Sequence, residues 1–368
     1  VIPDERGFNP AVIGGKAVAV PGEVKGLLIA LEQYGTMSRQ QVIQPAIDHA
    51  RRGLPVSEVF AAMIVDNYDA IQAFPASEAI YLTDGFPKQV GETVVNSDLA
   101  DTLQLIADQG ADAFYHGPVA QSIVDAVQGD GGLITLEDLA AYEVSFRTPV
   151  TGSYRGYGII SAPPPSSGGT HVIELLNIME NFDLDVLGLN TAESIHAWAQ
   201  AMRLMYTDRA AYMGDADFID VPVEGLTSKE YARGQFERID MDHVMDLEPP
   251  GDPWPSESGS TTHFSVADAR GNMVAYTKTI NHFFASGITA PGTGILLNDQ
   301  MDDFDKRPGQ ANSIEAGKKP LSSMSPTFLL KDGKPFAAIG SPGGKRIICL
   351  LYTSDAADDL LQVYISVV

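Results

Sequence analysis

The sequence predicts an α+β fold in which helices cover packed antiparallel sheets, a layered α/β/β/α arrangement. Two patterns carry this. The earlier part of the chain repeats apolar residues at helical spacing, and the later part alternates apolar and polar residues in short runs joined by tight turns. A helix-rich part and a hairpin-rich part of one chain satisfy their apolar faces by stacking in layers. The 368 residues suffice for one large domain or two ordinary ones.

In chain order, residues 1–20 read as loop, and the turn at Pro21-Gly22 opens a helix over 24–34. Ser38 caps a second helix whose apolar residues are Val42, Ile43, Ala46 and Ile47, and Gly53 stops it. Ser57 starts a third. Ser97 is placed as the cap of a helix over 98–109 with Leu99, Leu103 and Ile106 on one face, and Gly110 ends it. Further helices fall at 118–128 and, behind the capping-box spacing of Thr135 and Asp138, at about 136–142. From Arg147 the period changes, and Val150, Tyr154, Tyr157, Ile159 and Ile160 suggest paired strands. The run Pro163-Pro164-Pro165-Ser166-Ser167-Gly168-Gly169 is a fixed loop leading to a helix over 171–181, followed by a long one over 192–212.

Residues 246–259 hold Pro249, Pro250, Pro253 and Pro255 and show no regular period, so they read as an accessible linker. The stretch 260–294 follows. In it Thr262, Phe264 and Val266 alternate with His263 and Ser265, a turn occupies 269–272, and a return strand covers 273–280. A last strand pair is expected at 327–330 and 336–339, joined by Lys331-Asp332-Gly333-Lys334.

Composition narrows the function. Hydrophobic residues make up 44% and charged residues 20%, the mixture of a globular protein. No apolar run reaches the roughly eighteen residues a membrane-spanning helix needs. A net charge of −24 gives no footprint for nucleic acid or anionic membranes. The single cysteine, Cys349, rules out an internal disulfide.

Several motifs could carry chemistry. Thr261 sits where a soft linker meets a stiff hairpin. Were it freed as an amino terminus, its own α-amine, with an ordinary pKa of about 7.7–8.0, could take the hydroxyl proton and make it a nucleophile; otherwise it is a β-branched strand residue. Gly340-Ser341-Pro342-Gly343-Gly344-Lys345 is either an oxyanion-binding turn or a plain tight one; it is not a phosphate loop, since Arg346 stands where Ser or Thr is required. Asn298-Asp299-Gln300-Met301-Asp302-Asp303 could hold an ammonium group, could bind a metal though its spacing fits no metal signature, or is a solvated loop. The hydroxyls at 320–326 could bind a carboxylate or form a capped turn. His263 faces away from Thr262 and is not needed as a base beside a terminal amine. No G-x-S-x-G elbow is present.

Together these segments resemble the γ-glutamyltranspeptidase (glutathione hydrolase) family of the N-terminal-nucleophile hydrolase superfamily. Thr261-Thr262-His263-Phe264-Ser265-Val266 is similar to the start of that family's small subunit. The runs 294–304, 320–327 and 340–344 are close to family signatures in family order, and 19–22, 131–132, 138–142, 163–169, 207–209 and 214–215 resemble its large subunit.

The resemblance implies a four-layer sandwich and a precursor that cleaves itself at Ser260–Thr261. Residues 1–260 would be the large-subunit portion and 261–348 the small-subunit portion of a heterodimer. Thr261 is then the nucleophile, Thr279 the residue bonded to it, and the N–H groups of Gly343 and Gly344 the oxyanion hole. Asn281, Gln300 and Asp303 match positions that bind the substrate's α-amino group, and Ser322 and Ser323 those that hold its α-carboxylate. The implied donor is glutathione or another γ-glutamyl amide, and the acceptor is water, an amino acid or a peptide. No metal or organic cofactor is implied, and the location is periplasmic or secreted. A cephalosporin- or glutaryl-type amide acylase on the same fold is the alternative, as is an unprocessed, non-catalytic relative.

Three departures are expected to matter. A carboxylate-pairing Arg of the family has no counterpart here, so the chain reads as a fragment truncated at both ends and inactive by itself. The segment 305–319 is short for a lid, which predicts an open pocket. From Cys349 to 368 the family pattern breaks, no helix is expected, and the tail reads as foreign to the gene.

Overall fold

The computed structural model describes residues 2–245 and 261–353; the linker 246–260, with Ser260, and the tail beyond 353 lie outside the described residues. The chain forms two compact units. One takes Val1–Phe146 and Ile280–Asp302, the other Arg147–Thr279 and Asp303–Val368. Each unit is therefore built from residues on both sides of the Ser260–Thr261 bond.

In the first unit, helix Arg39–Arg52 begins with a capping box, Ser38 accepting from the Gln41 N–H and the Gln41 side chain from Ser38. Helix Ser97–Gln109 corrects one expectation: Asn96, not Ser97, is the cap, accepting from the Leu99 N–H at 3.0 Å. The Asn96 amide also donates to the Gly294 carbonyl at 2.9 Å, which anchors the cap to the later sequence. Helix Gly117–Gly129 turns Val119, Ile123, Val124 and Val127 into a core that includes Ile106, Phe114, Leu139, Ile288 and Leu297. The Ser77 hydroxyl donates to the Gly287 carbonyl at 2.6 Å and accepts from the Thr289 N–H at 2.9 Å, tying a helix of the earlier sequence to a strand of the later.

In the second unit a four-stranded antiparallel sheet runs in the order Lys334–Ile339, Thr327–Lys331, Tyr157–Ser161, Val150–Tyr154. The central pairing, Thr327 opposite Ser161 through Lys331 opposite Tyr157, again joins late sequence to early. Helix Gly168–Met179 covers this sheet and is buried at every position. It starts three residues before the expected His171. Gly168 lies so close to Ser325 that a Cβ there would collide with its hydroxyl, so the helix begins where only glycine fits. Around it pack Ala192–Tyr212, Lys229–Glu237 and Ile347–Thr353, with Ile173, Leu175, Ile178, Met179, Ala201, Met205 and Ile348 forming the core. The last helix overturns the expectation that none follows the glycine turn: Ile347, Ile348 and Leu351 are buried at helical spacing.

The expected hairpin forms as Thr262–Ala267 and Met273–Lys278 in continuous register, and it packs beside strand Lys334–Ile339. Its predicted alternation holds, but the apolar residues take the more open face. Phe264 is 48% exposed, while His263 and Ser265 are half-buried.

Candidate active site

The hairpin register fixes the first element of the site. Thr262 pairs with Lys278, which sets Thr261 against Thr279, and the Thr261 hydroxyl donates to the Thr279 hydroxyl at 3.3 Å. Thr261 is 9% exposed. A β-branched residue in this position has few rotamers to choose from, so its oxygen is aimed by the strand.

His263 is braced rather than poised. Its Nδ1 lies 2.7 Å from the Thr277 hydroxyl and its Nε2 2.9 Å from that of Ser265. Burial lowers its pKa. The ring lies against Gly340, where a Cβ would collide with it, so His263 supports the start of the glycine turn. Within that turn Gly343 has φ 139° and Gly344 φ 57°, both in the region that favours glycine. A Cβ on Gly343 would also meet Leu350 at 2.9 Å. The turn closes with the Arg346 N–H donating to the Gly343 carbonyl at 3.1 Å.

Ser322 and Ser323 lie on a second polar assembly of the same unit. The Ser167 N–H donates to the Ser322 carbonyl at 2.9 Å, and the Ser322 N–H to the Pro165 carbonyl at 3.0 Å. Ser166 adds a bond from its hydroxyl to the Met324 carbonyl at 2.6 Å. The two segments expected as separate loops, 163–169 and 320–326, thus zip together. Arg209, near the end of helix Ala192–Tyr212, donates from Nε to the Ser167 hydroxyl and from Nη2 to the Ser323 hydroxyl, each at 2.9 Å. Asn312 links this assembly to Asp303, donating to the Asp303 carbonyl at 2.7 Å while accepting from the Leu321 N–H at 3.0 Å. The sequence motifs contained Arg209 and Ser167, but without a partner across the fold neither had an assignable role; Asn312 carried no local signal at all.

Beneath Arg209 lies a buried polar group. His171 Nδ1 is 2.5 Å from Glu174 Oε2, and both residues are 0% exposed. Asp208 accepts from the Tyr231 hydroxyl at 2.8 Å and the Gln235 amide at 2.6 Å. Burial, and secondarily the Arg209 charge, pushes His171 down to about 3. Burial and the bond to Asp208 hold Glu174 well above the usual carboxylate range. Each shift favours the uncharged form of its group.

Asn281 and Gln300 belong to the other unit. Asn281 has φ 81° and donates to the Asp299 carbonyl at 3.3 Å; the Gln300 N–H donates to Asn298 Oδ1 at 3.0 Å. Between them the fully buried Asp299 carboxylate accepts from the His282 N–H at 3.0 Å and lies 2.6 Å from His282 Nδ1. Burial raises the Asp299 pKa against the opposing pull of His282. Among the described residues no group of three or more His, Cys, Asp or Glu side chains is placed to hold a metal ion, and no helix is long and apolar enough to cross a membrane.

Residues 4–354 match the sequence model of the family described as Gamma-glutamyltranspeptidase. The chain is 45% identical over 345 residues to the glutathione hydrolase proenzyme of Escherichia coli strain K12, covering 90% of this chain and 60% of that protein. It therefore spans about three-fifths of that relative's length. Among solved structures, Helicobacter pylori gamma-glutamyltranspeptidase matches with a TM-score of 0.64 at 42% identity, over 70% of this chain and 75% of that one. Cephalosporin acylase from Bacillus halodurans matches with a TM-score of 0.83 at 28% identity, over 95% of this chain and 64% of that one. The fold is the α+β fold of the N-terminal-nucleophile hydrolases. The chain is a member of the gamma-glutamyltranspeptidase family.

Proposed function

We propose that this chain belongs to an enzyme that transfers the γ-glutamyl group of glutathione and related amides to water, an amino acid or a peptide, through an ester on Thr261. The hydroxyl pair of Thr261 and Thr279 carries the reading: a strand-aimed threonine, next to the 246–260 segment, with its oxygen already oriented by a second hydroxyl.

In the precursor the Thr261 oxygen would attack the Ser260 carbonyl, the Ser260–Thr261 amide bond would break, and water would open the resulting ester. The new α-amine would then accept the Thr261 hydroxyl proton as the oxygen attacks the γ-carbonyl. The protonated amine would return that proton to the leaving amine, and water or an acceptor amine would release the acyl group. The Gly343 and Gly344 N–H groups are assigned to the oxyanion, where one donor typically contributes about 10²–10³ in rate. Asn281, Gln300 and Asp303 are assigned to the substrate ammonium, and Ser322 and Ser323 to its carboxylate. Because both units draw on both sides of the cleaved bond, the two products would stay together as a heterodimer. A periplasmic or secreted location fits the resemblance.

The test is to express the full-length protein and its Thr261→Ala variant. Two bands on a denaturing gel and turnover of γ-glutamyl-p-nitroanilide are expected for the wild type, with neither for the variant. An uncut wild type, or an active Thr261→Ala, sinks the proposal. The likeness to cephalosporin acylase favours a second reading, side-chain amide hydrolysis; faster turnover of a glutaryl than of a γ-glutamyl amide would select it.

A further inference from the structure

Ser322 and Ser323 present an unusual balance of donors. The Ser322 hydroxyl accepts from the Met324 N–H at 3.1 Å, and the Ser323 hydroxyl accepts from Arg209 at 2.9 Å. Neither hydroxyl proton is given to an acceptor among the described residues. A serine oxygen that already accepts is left with its O–H to donate. Two neighbouring hydroxyls are thus set to donate in the same small region, which suits the two oxygens of a carboxylate. Ser167, by contrast, is fully spent: its hydroxyl accepts from Arg209 and donates to the Ser322 carbonyl, both at 2.9 Å.

Charge supports the same ligand. The Arg209 guanidinium lies directly behind Ser323, which is 8% exposed. Ser167 stands at the N-cap of the twelve-residue helix Gly168–Met179, whose positive end adds to that field. The neighbouring buried carboxylate of Asp208 is taken up by the Tyr231 hydroxyl at 2.8 Å and the Gln235 amide at 2.6 Å.

We propose that Arg209 is a specificity-determining positioning residue for the substrate's α-carboxylate, acting through Ser323. Its planar fork fixes Ser167 and Ser323 together, so the Ser323 proton points at the ligand and its O–H bond is polarised by the charge behind it. Lysine, a single point of charge, does not hold both hydroxyls in one plane. The proposal rests on the assignment of Ser322 and Ser323 to the carboxylate.

The experiment uses the full-length protein and free competitors of γ-glutamyl-p-nitroanilide turnover. L-Glutamate carries both head groups, glutarate lacks the ammonium, and 4-aminobutyrate lacks the α-carboxylate. Arg209→Gln is expected to raise the inhibition constants of L-glutamate and glutarate by about 10- to 100-fold and to leave that of 4-aminobutyrate unchanged. KM should rise in parallel while kcat changes little, and Arg209→Lys should recover part of the loss. Equal weakening of all three competitors, or wild-type inhibition by L-glutamate, overturns the proposal. If Arg209→Gln does not fold, Arg209→Lys is read by the same three competitors; if neither variant folds, Arg209 belongs to the fold and the proposal is wrong. A wild type with no γ-glutamyl turnover would instead overturn the proposed function, so the two failures are distinct.

Discussion

The Thr261 hydroxyl donates to that of Thr279 at 3.3 Å because hairpin pairing places the two threonines opposite each other one step beyond Thr262 and Lys278. Thr279→Val keeps the shape of the residue and removes the acceptor. It should slow both precursor splitting and γ-glutamyl turnover by about 10- to 100-fold, the range for losing one buried hydrogen bond. Thr279→Ser should restore most of both rates. Equal rates in Thr279→Val and wild type, measured by gel densitometry and p-nitroaniline release, would remove Thr279 from the mechanism.

The hairpin was legible because its alternation is local, and so were the strand pair 327–339 and the long helix Ala192–Tyr212. What the sequence concealed was set by contacts between distant segments. Arg209 lies 114 positions from Ser323, and only the fold makes them partners. Gly168 at the helix start is crowded by Ser325, and the Asn96 cap is bonded to Gly294, both partners far away in sequence. Family resemblance supplied roles for Ser322 and Ser323 but not the guanidinium that orients one of them.

Gly340→Ala should act through His263. The added Cβ would run into an imidazole that Thr277 and Ser265 hold on both sides, so the ring has no easy retreat. A loss of about 1–3 kcal/mol is expected, the usual cost of overpacking. Urea unfolding of the Thr261→Ala precursor with and without Gly340→Ala measures it. Adding His263→Ala should return most of the loss, and no recovery would show that the strain lies elsewhere.

Asp299 holds the backbone N–H and ring of His282, and its own carbonyl takes the Asn281 amide. Asp299→Ala keeps that carbonyl but releases His282, so it should loosen the neighbouring Asn281. The expected result is a KM for γ-glutamyl-p-nitroanilide raised about 10-fold, with a smaller change in kcat. An unchanged KM in a folded, processed variant would separate this acid from the ammonium site.

His171 and Glu174 give opposite pH dependences. The His171 pKa is lowered, so its contribution to stability is complete above its unfolded value near 6.5 and is lost as pH falls toward about 3. The Glu174 pKa is raised, so its contribution is complete below its unfolded value near 4.5 and is lost as pH climbs through the folded value. Between 4.5 and 6.5 the two slopes oppose each other and largely cancel. Above 6.5 only Glu174 remains, and stability should fall with pH by up to ~1.4 kcal/mol per unit for one proton. Glu174→Gln stays neutral at every pH and removes that slope. Urea midpoints of the Thr261→Ala precursor, followed from about pH 6.5 to about pH 9, should fall more steeply when Glu174 is kept than when Glu174→Gln is added. Parallel curves would mean that Glu174 is already ionised in the folded protein, and that the negative charge beneath Arg209 is larger than the geometry implies.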